Sequence, residues 1–204
     1  MRFSNLFSAT AIALASMATA LPSSQHGNDN NGNGNGNGNG NGNSGQCIPY
    51  DTAVQVVNAF VSTLTAFNAD VATNLLAPDF TDTSDSINFL AGIPLGSVTF
   101  PSPAAYIAGQ GAQPPIGIDI LNIDAVTCQG VIVFRWVATV GLNVDPVKGI
   151  SVLYTVKSGS NANTVGPNGY QLETLYSEFN SAAWVLDIGG TCAPPAAPGR
   201  LFRL

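Results

Sequence analysis

The sequence predicts an α+β domain in which three N-terminal helices pack on a mainly antiparallel, curled sheet. Apolar residues recur at three- and four-residue steps in the segments before Gly111, as they do on one face of a helix. From Ile116 onwards they alternate with polar residues, as in strands with one buried face. Helices followed by a run of strands are typical of α+β domains, in which the helices cover one face of an antiparallel sheet.

The first 20 residues predict a secretory signal peptide. Arg2 precedes an apolar run, and Ala18-Thr19-Ala20 forms a small-x-small cleavage site. The run is too short for a membrane-spanning helix, which needs roughly 20 apolar residues. We therefore expect a secreted, extracellular protein that has no membrane contact once the signal peptide is cleaved.

Low-complexity segments flank the predicted domain, which spans residues 47–192. Residues 21–46 are rich in Asn and Gly and contain an uninterrupted Asn-Gly repeat at 31–42. Such a tract has no apolar surface to bury, so we expect a disordered spacer. Residues 193–204 are rich in Ala and Pro, and we expect them to form a flexible tail.

The charged residues and the single histidine argue against several classes of partner and site. Without residues 1–20, which carry only Arg2, five basic and twelve acidic residues give a formal net charge of −7. Such an acidic chain matches neither nucleic acid nor an anionic membrane surface. The only histidine, His26, lies in the Asn/Gly-rich segment, so the domain cannot form a Ser-His-Asp or Cys-His catalytic site. No nucleotide-binding glycine loop occurs, and we expect no cofactor.

Three cysteines, Cys47, Cys128 and Cys192, predict one disulfide in an oxidising compartment and one remaining thiol. Their spacing does not fit a zinc site. A Cys47–Cys192 bond would tie the two ends of the domain together, and we favour this pairing. Cys128, at the start of a predicted strand, could replace either partner.

Three helices are predicted before the strands. The first covers Thr52–Phe67, and its apolar stripe consists of Val54, Val57, Val61, Leu64 and Phe67. A short second helix covers Asp70–Leu76. The third begins after Ser102, a good cap, with Pro103 at the first helical position, where its missing amide costs nothing, and it ends at Gly109.

The segment Leu75–Ser86 carries the densest group of polar side chains, with carboxylates at Asp79, Asp82 and Asp85 among Ser and Thr hydroxyls. Because Pro78 would end a helix, we expect a loop here, and a second loop at residues 87–101. The carboxylates could form turns and caps, or Asp82 could face a pocket as a base or polar anchor. A cation site is a third interpretation, although the EF-hand pattern is missing.

The remaining chain predicts five strands, Ile116–Asp124, Gly130–Val140, Gly149–Lys157, Tyr170–Asn180 and Ala182–Ile188, with a hairpin loop at Ser158–Gly169. One face of the second strand carries Ile132, Phe134, Trp136 and Val140. One face of the third carries Ile150, Val152, Tyr154 and Val156. Arg135 lies on the opposite face of the second strand. It could pair with Glu178 or Asp187 on the outer surface, or reach into a cavity to hold an acidic ligand.

Aromatic residues form a last candidate group: Tyr106, Trp136, Tyr154, Tyr176 and Trp184. They could line an apolar cavity with a few polar tips, as ligand pockets do. They could equally fill the core between sheet and helices.

Three stretches together with the first helix resemble a known family. These stretches are Leu-Leu-Ala-Pro-Asp-Phe-Thr-Asp-Thr-Ser-Asp-Ser at 75–86, Ala-Ala-Tyr-Ile-Ala-Gly-Gln-Gly-Ala-Gln at 104–113, and Tyr-Ser-Glu-Phe-Asn-Ser-Ala-Ala-Trp at 176–184. Across Cys47–Cys192 the chain resembles the nuclear transport factor 2-like domain, in its small secreted fungal branch. The resemblance implies a cone, in which a strongly bent sheet wraps around the first helix and encloses a cavity. Members of the family include ketosteroid isomerases, scytalone dehydratase and pure binding modules, so the fold alone does not give the function.

The resemblance favours a secreted protein that binds a small apolar molecule in its cavity. The expected ligand contacts are Asp82, Tyr106, Trp136, Tyr154, Tyr176 and Glu178. A lyase or isomerase with a cavity aspartate as base is one alternative, and a module that forms homodimers through the outer sheet face is another. No position matches a catalytic motif of the family residue by residue, so we assign no catalytic residue and leave open whether the protein is an enzyme.

Overall fold

Five α-helices and a five-stranded sheet are formed by the residues that the computed structural model describes, 47–159 and 165–192. In chain order the elements are α1 (Tyr50–Thr65), α2 (Ala69–Leu75), β1 (Leu76–Thr83), α3 (Asp85–Ala91), α4 (Pro103–Gly111), β2 (Gly117–Val126), β3 (Val131–Thr139), β4 (Val147–Lys157), a 3-10 turn (Pro167–Gly169), β5 (Tyr170–Phe179) and α5 (Ser181–Asp187). The predicted signal peptide, spacer and C-terminal tail lie outside the described residues. Within those residues, every helix is too short or too polar to cross a membrane.

The strands form one curled sheet in the order β1-β5-β4-β3-β2. The pairs β2–β3, β3–β4 and β4–β5 are antiparallel, and β1 lies parallel to β5 at one edge. The predicted α+β fold with a bent, mainly antiparallel sheet is therefore confirmed, with five helices where we expected three.

The core lies between the helices and one face of the sheet, which we call the inner face. In β3 the inner face carries Ile132, Phe134 and Trp136, all buried. The alternation predicted that these residues share a face, and the structure shows that this face is the inner one. From α1, Phe60 packs its ring edge-on against Phe134, with the ring centroids 6.0 Å apart. The buried side of α1 is centred on Ala53, Val56, Val57, Phe60 and Thr63, so it is rotated from the stripe that we predicted.

The segment expected to be a loop after α2 is instead the edge strand β1. Pro78 is compatible with it because β5 is the only strand beside β1 in the sheet, and the register of the pair shifts between Leu76 and Thr81. The strand ends at Thr83. The hydroxyl of the next residue, Ser84, accepts a hydrogen bond from Ile87 N at 3.1 Å and caps the start of α3. Part of the second predicted loop is therefore helical, because the cap satisfies the first free backbone amides.

The last predicted strand, Ala182–Ile188, is also wrong, because these residues lie mostly in α5. Asn180 caps this helix by accepting a hydrogen bond from Ala183 N at 3.1 Å. Short apolar runs fit either structure, and here the side-chain cap favours the helix.

The disulfide joins Cys47 to Cys128, so the favoured Cys47–Cys192 pairing is wrong. The bond ties the start of the domain to the turn between β2 and β3. The Cα atoms of Cys47 and Cys128 are 4.0 Å apart. Cys192 is exposed and carries a free thiol. Sequence spacing could not show that this turn reaches the beginning of α1.

Candidate functional site

One of the two buried carboxylates of the described residues, Asp82, lies on the inner face of β1; the other, Asp187, lies in α5. Its strand alternates so that Phe80 and Asp82 point inward, and Asp82 is only 1% exposed. Its backbone amide donates to Phe100 O at 2.9 Å, and its carbonyl oxygen accepts from Phe100 N at 3.1 Å. Across the parallel pair, Asp82 lies opposite Leu175 of β5. Backbone bonds on both sides therefore hold the carboxyl group in the interior.

The carboxyl group of Asp82 has an unusual electrostatic environment. Its Oδ1 atom is buried and has no hydrogen-bond partner among the described residues. Burial raises the pKa of Asp82 to about 8, and the charge of Glu178 adds to the shift. At neutral pH most of the molecules therefore carry a protonated Asp82, which can donate a hydrogen bond.

Tyr106, on α4, is the second polar group of the interior. The ring is 1% exposed and packs edge-on against Phe80 and Phe100, with centroids 5.4 Å and 5.5 Å away. The hydroxyl lies 2.7 Å from Thr63 Oγ1, which donates its own hydrogen to Phe60 O. Tyr106 is therefore the donor to Thr63, and its oxygen keeps its capacity to accept.

The acidity of Tyr106 links it to Asp82. Burial raises the pKa of Tyr106 above its ordinary value. The hydrogen-bonding contact with the Thr63 hydroxyl opposes this shift, and the charge of Asp82 adds to it. Tyr106 therefore remains neutral across the physiological range, and it lies close enough to Asp82 for the two groups to interact.

A hydrogen-bonded chain crosses the inner face from β3 to β5. Trp136 Nε1 donates to Ser151 Oγ at 2.9 Å, and Ser151 Oγ lies 2.9 Å from Ser177 Oγ. All three side chains are buried. The indole can reach Ser151 because its cross-strand neighbour is Gly149, where a Cβ atom would lie 2.3 Å from Trp136 Cζ2.

Three of the predicted ligand contacts do not lie in the interior. Tyr154 and Tyr176 are 39% and 47% exposed on the outer face of the sheet, with their ring centroids 6.0 Å apart. Glu178, on the same face of β5 as Tyr176, accepts hydrogen bonds from Asp85 N at 2.7 Å and Ser86 N at 2.9 Å. It therefore holds the start of α3. The cavity position predicted for these three residues is wrong because strand alternation turns them away from the core.

Arg135 also lies on the outer face. It forms a two-point ion pair with Asp124, with Nε to Oδ2 at 2.8 Å and the second nitrogen to Oδ1 at 2.9 Å. These hydrogen bonds lower the pKa of Asp124 to about 2. The expected partners, Glu178 and Asp187, are therefore wrong, and so is the interpretation that Arg135 holds a ligand in the cavity.

The three carboxylates of the Asp-rich segment diverge. Asp79 is exposed, Asp82 points inward, and Asp85 accepts a hydrogen bond from Gly96 N at 2.6 Å. Within the described residues, no group of three or more Asp, Glu, His or Cys side chains lies where it could hold a metal ion. The three side chains therefore have separate roles: Asp82 lies in the interior, Asp85 contacts a loop and Asp79 is a surface charge.

Comparison with known proteins identifies the fold family. The model of the NTF2-like domain matches residues 46–191, almost the whole of the folded region. The chain belongs to the NTF2-like family. No curated protein matches the sequence significantly.

Solved structures of other proteins are similar to this chain at low sequence identity. An NTF2-like protein of unknown function from Burkholderia pseudomallei is 17% identical, with a TM-score of 0.50 over 68% of this chain and 98% of that one. A protein from Catenulispora acidiphila with a ketosteroid isomerase-like fold, solved in complex with trimethylamine, is 12% identical, with a TM-score of 0.49 over 69% and 98% of the two chains. At these identities the similarity bears on the fold only. The function has to be inferred from the chemistry of the interior.

Proposed function

We propose that this NTF2-like domain is secreted and binds a small, neutral, mainly apolar molecule in its interior, with Asp82 as the polar contact. The observation that carries the proposal is the buried Oδ1 atom of Asp82, which has no partner among the described residues. The Cys47–Cys128 disulfide supports secretion, because such bonds persist mainly in oxidising compartments.

A carboxyl group without a partner is costly inside a protein. Burying an unsatisfied polar group costs about 1–3 kcal/mol by mutational measures, and an apolar residue of similar size would avoid that cost. A ligand that accepts a hydrogen bond from protonated Asp82 would offset it. Function therefore explains the aspartate better than stability does.

The ligand should be uncharged. Among the described residues the basic side chains are Arg135, Lys148 and Lys157, and all three are exposed. An anionic ligand in the interior would have no cation to pair with, and it would lie beside a group that itself tends to be ionised at high pH. A neutral acceptor, such as a carbonyl or ether oxygen, avoids both costs.

Native mass spectrometry of the full secreted chain tests the proposal. The protein is purified from the cells that secrete it, and any molecule released on denaturation is identified. We expect wild type and Asp79→Asn, which changes an exposed aspartate of the same strand, to release a neutral molecule, and Asp82→Leu to be empty. An empty wild type, or equal release from Asp82→Leu, would contradict the proposal.

Acid–base catalysis is the second candidate function, and the raised pKa of Asp82 favours it. A base works best when its pKa is near the working pH, and a pKa of about 8 meets that condition. Tyr106 offers less, because its hydrogen is committed to Thr63 and it can only accept in this arrangement. We therefore place binding first.

Exchange of α-protons separates catalysis from binding. In heavy water, a carboxylate base would remove an α-proton of cyclohexanone and a deuteron would return to the same carbon, which NMR follows directly. If the domain is an acid–base catalyst, exchange rises with an apparent pKa near 8 and Asp82→Asn abolishes it. Binding without exchange would leave the domain as a binding protein.

A further inference from the structure

The chain Trp136–Ser151–Ser177 leaves one hydroxyl hydrogen unused. An indole N–H can only donate, so Trp136 occupies an acceptor position of Ser151 and contributes nothing more. Each serine has one hydrogen, and the bond between them uses one of the two. Within the described residues, the other hydrogen meets no acceptor.

The burial of the two serines indicates which hydrogen is unused. Ser151 is completely buried, whereas Ser177 is 8% exposed. A free donor at Ser151 would be sealed in the core at the full cost of an unsatisfied polar group. The chain is therefore directed from Trp136 through Ser151 to Ser177, in the order in which each bond also strengthens the next.

Ser177 and Asp82 lie near each other on the inner face. Leu175 is the register partner of Asp82, and Ser177 follows it by two residues on the same face of β5. Paired strands lie roughly 4.8 Å apart and rise roughly 3.3 Å per residue, which places the Cα atoms of Asp82 and Ser177 roughly 8 Å apart. Phe80 and Leu175, which share the inner face with Asp82 and Ser177, belong to the hydrophobic core. The interior thus presents two donors on neighbouring strands within an apolar setting.

We propose that Ser177, oriented by Ser151 and Trp136, is a second hydrogen-bond donor to the molecule held by Asp82. The ligand class is then a neutral, mainly apolar compound with two separate acceptor oxygens, one for each donor. This inference rests on the proposed binding function and specifies its ligand.

Two ring ketones of equal size test the inference in solution with the full chain. Cyclohexanone has one carbonyl oxygen, and 1,4-cyclohexanedione has a second on the opposite side of the ring. We expect the dione to bind roughly fivefold tighter, the gain that one further net hydrogen bond gives. Ser177→Ala should abolish this preference. The matched control is Tyr176→Phe, which removes a hydroxyl from the outer face of the same strand.

The indole protons provide a second readout that loss of stability alone does not mimic. The chain has two tryptophans, so only two indole N–H signals appear in the NMR spectrum. Binding of the dione at Ser177 should polarise the chain and shift the Trp136 signal downfield while the Trp184 signal moves less. In Ser151→Ala the dione should still bind, but without the Trp136 shift.

The outcomes separate this inference from the proposed function. If Asp82→Leu loses both ketones but Ser177→Ala keeps the preference for the dione, Ser177 is not a contact and the binding function stands. An unmoved Trp136 signal on saturation with the dione also overturns the inference. If neither ketone binds up to its solubility limit, or Asp82→Leu binds both as wild type does, the binding function and the inference fail together.

Discussion

Gly149 lies directly opposite Trp136 across the β3–β4 pair, and the indole occupies the space that a side chain at position 149 would need. Gly149→Ala should displace the indole and break its bond to Ser151. We expect a loss of about 1–3 kcal/mol in the free energy of unfolding, typical of overpacking in a core. Urea unfolding measures it. The control is Gly159→Ala, where the added Cβ atom meets only open space. Equal stability of the two variants would contradict this account.

Asp82 makes the stability of the domain depend on pH. Its pKa is about 8 in the folded protein, against an ordinary value of 3.8, so the folded state binds more protons between these values. Stability contributed by protonated Asp82 is therefore complete below about pH 4 and declines as the pH rises towards 8. Asp82→Asn mimics the protonated form. We expect it to gain stability relative to wild type from pH 5 to pH 8, by several kcal/mol at the upper end.

Urea unfolding of wild type and Asp82→Asn at pH 5, 6.5 and 8 checks this prediction. Asp79→Asn, an exposed position on the same strand, should follow wild type throughout. A constant difference between wild type and Asp82→Asn would show that the carboxyl group is ionised in the folded state at every pH tested.

Glu178 should affect both α3 and Asp82. Glu178→Ala frees the backbone amides of Asp85 and Ser86, so the first turn of α3 should lose about 1 kcal/mol, as when a helix cap is removed. It also removes a nearby negative charge, which should lower the pKa of Asp82. Hydrogen exchange over Asp85–Ala91 and carbon-detected titration of Asp82 measure the two effects. Glu173→Ala, on the same strand, should change neither.

Loss of the Arg135–Asp124 ion pair should not affect ligand binding. Arg135→Gln removes the strongest influence on Asp124, whose pKa should rise from about 2 towards its ordinary value. Because both side chains lie on the outer face, cyclohexanone binding should stay unchanged. An NMR pH titration measures the pKa of Asp124, and titration of the protein with cyclohexanone measures binding. Weakened binding would mean that Arg135 communicates with the interior.

The disulfide should stabilise the domain through Cys47 and Cys128 alone. Replacing either residue by serine should cost about 2–5 kcal/mol, as is typical of native disulfides. Cys192→Ser should leave the free energy of unfolding unchanged, since this thiol is exposed and free. Peptide mapping without reduction gives the connectivity directly. A Cys47–Cys192 peptide would refute the pairing.

Much of the fold follows from local signals in the sequence. The caps of α2 and α4, at Asn68 and Ser102, are present as polar side chains ahead of apolar stripes. Alternation in β3 correctly groups the residues that share a face, although it does not show which face is the inner one. These features depend on neighbouring residues only, so one chain is sufficient to predict them.

The interior site is harder to predict because its polar groups meet through long-range pairing. On β4 the apolar side chains Ile150, Val152 and Tyr154 lie on the outer face, while Ser151 faces inward, so an apolar count selects the wrong face. Thr63 was missed because the predicted stripe of α1 is rotated from the buried one. Ser151 could have been recognised as a polar residue on the inner face of β4, but only if the inner face had been known.

The Cys47–Cys128 bond encloses Thr63, Asp82 and Tyr106 within its loop, while Trp136, Ser151 and Ser177 all follow the loop in sequence. The interior polar groups thus come from two consecutive portions of the chain, one within the disulfide loop and one after it. A molecule seated there would bridge the portions and oppose their separation. Occupancy would then stabilise the folded state and protect the domain against proteolysis.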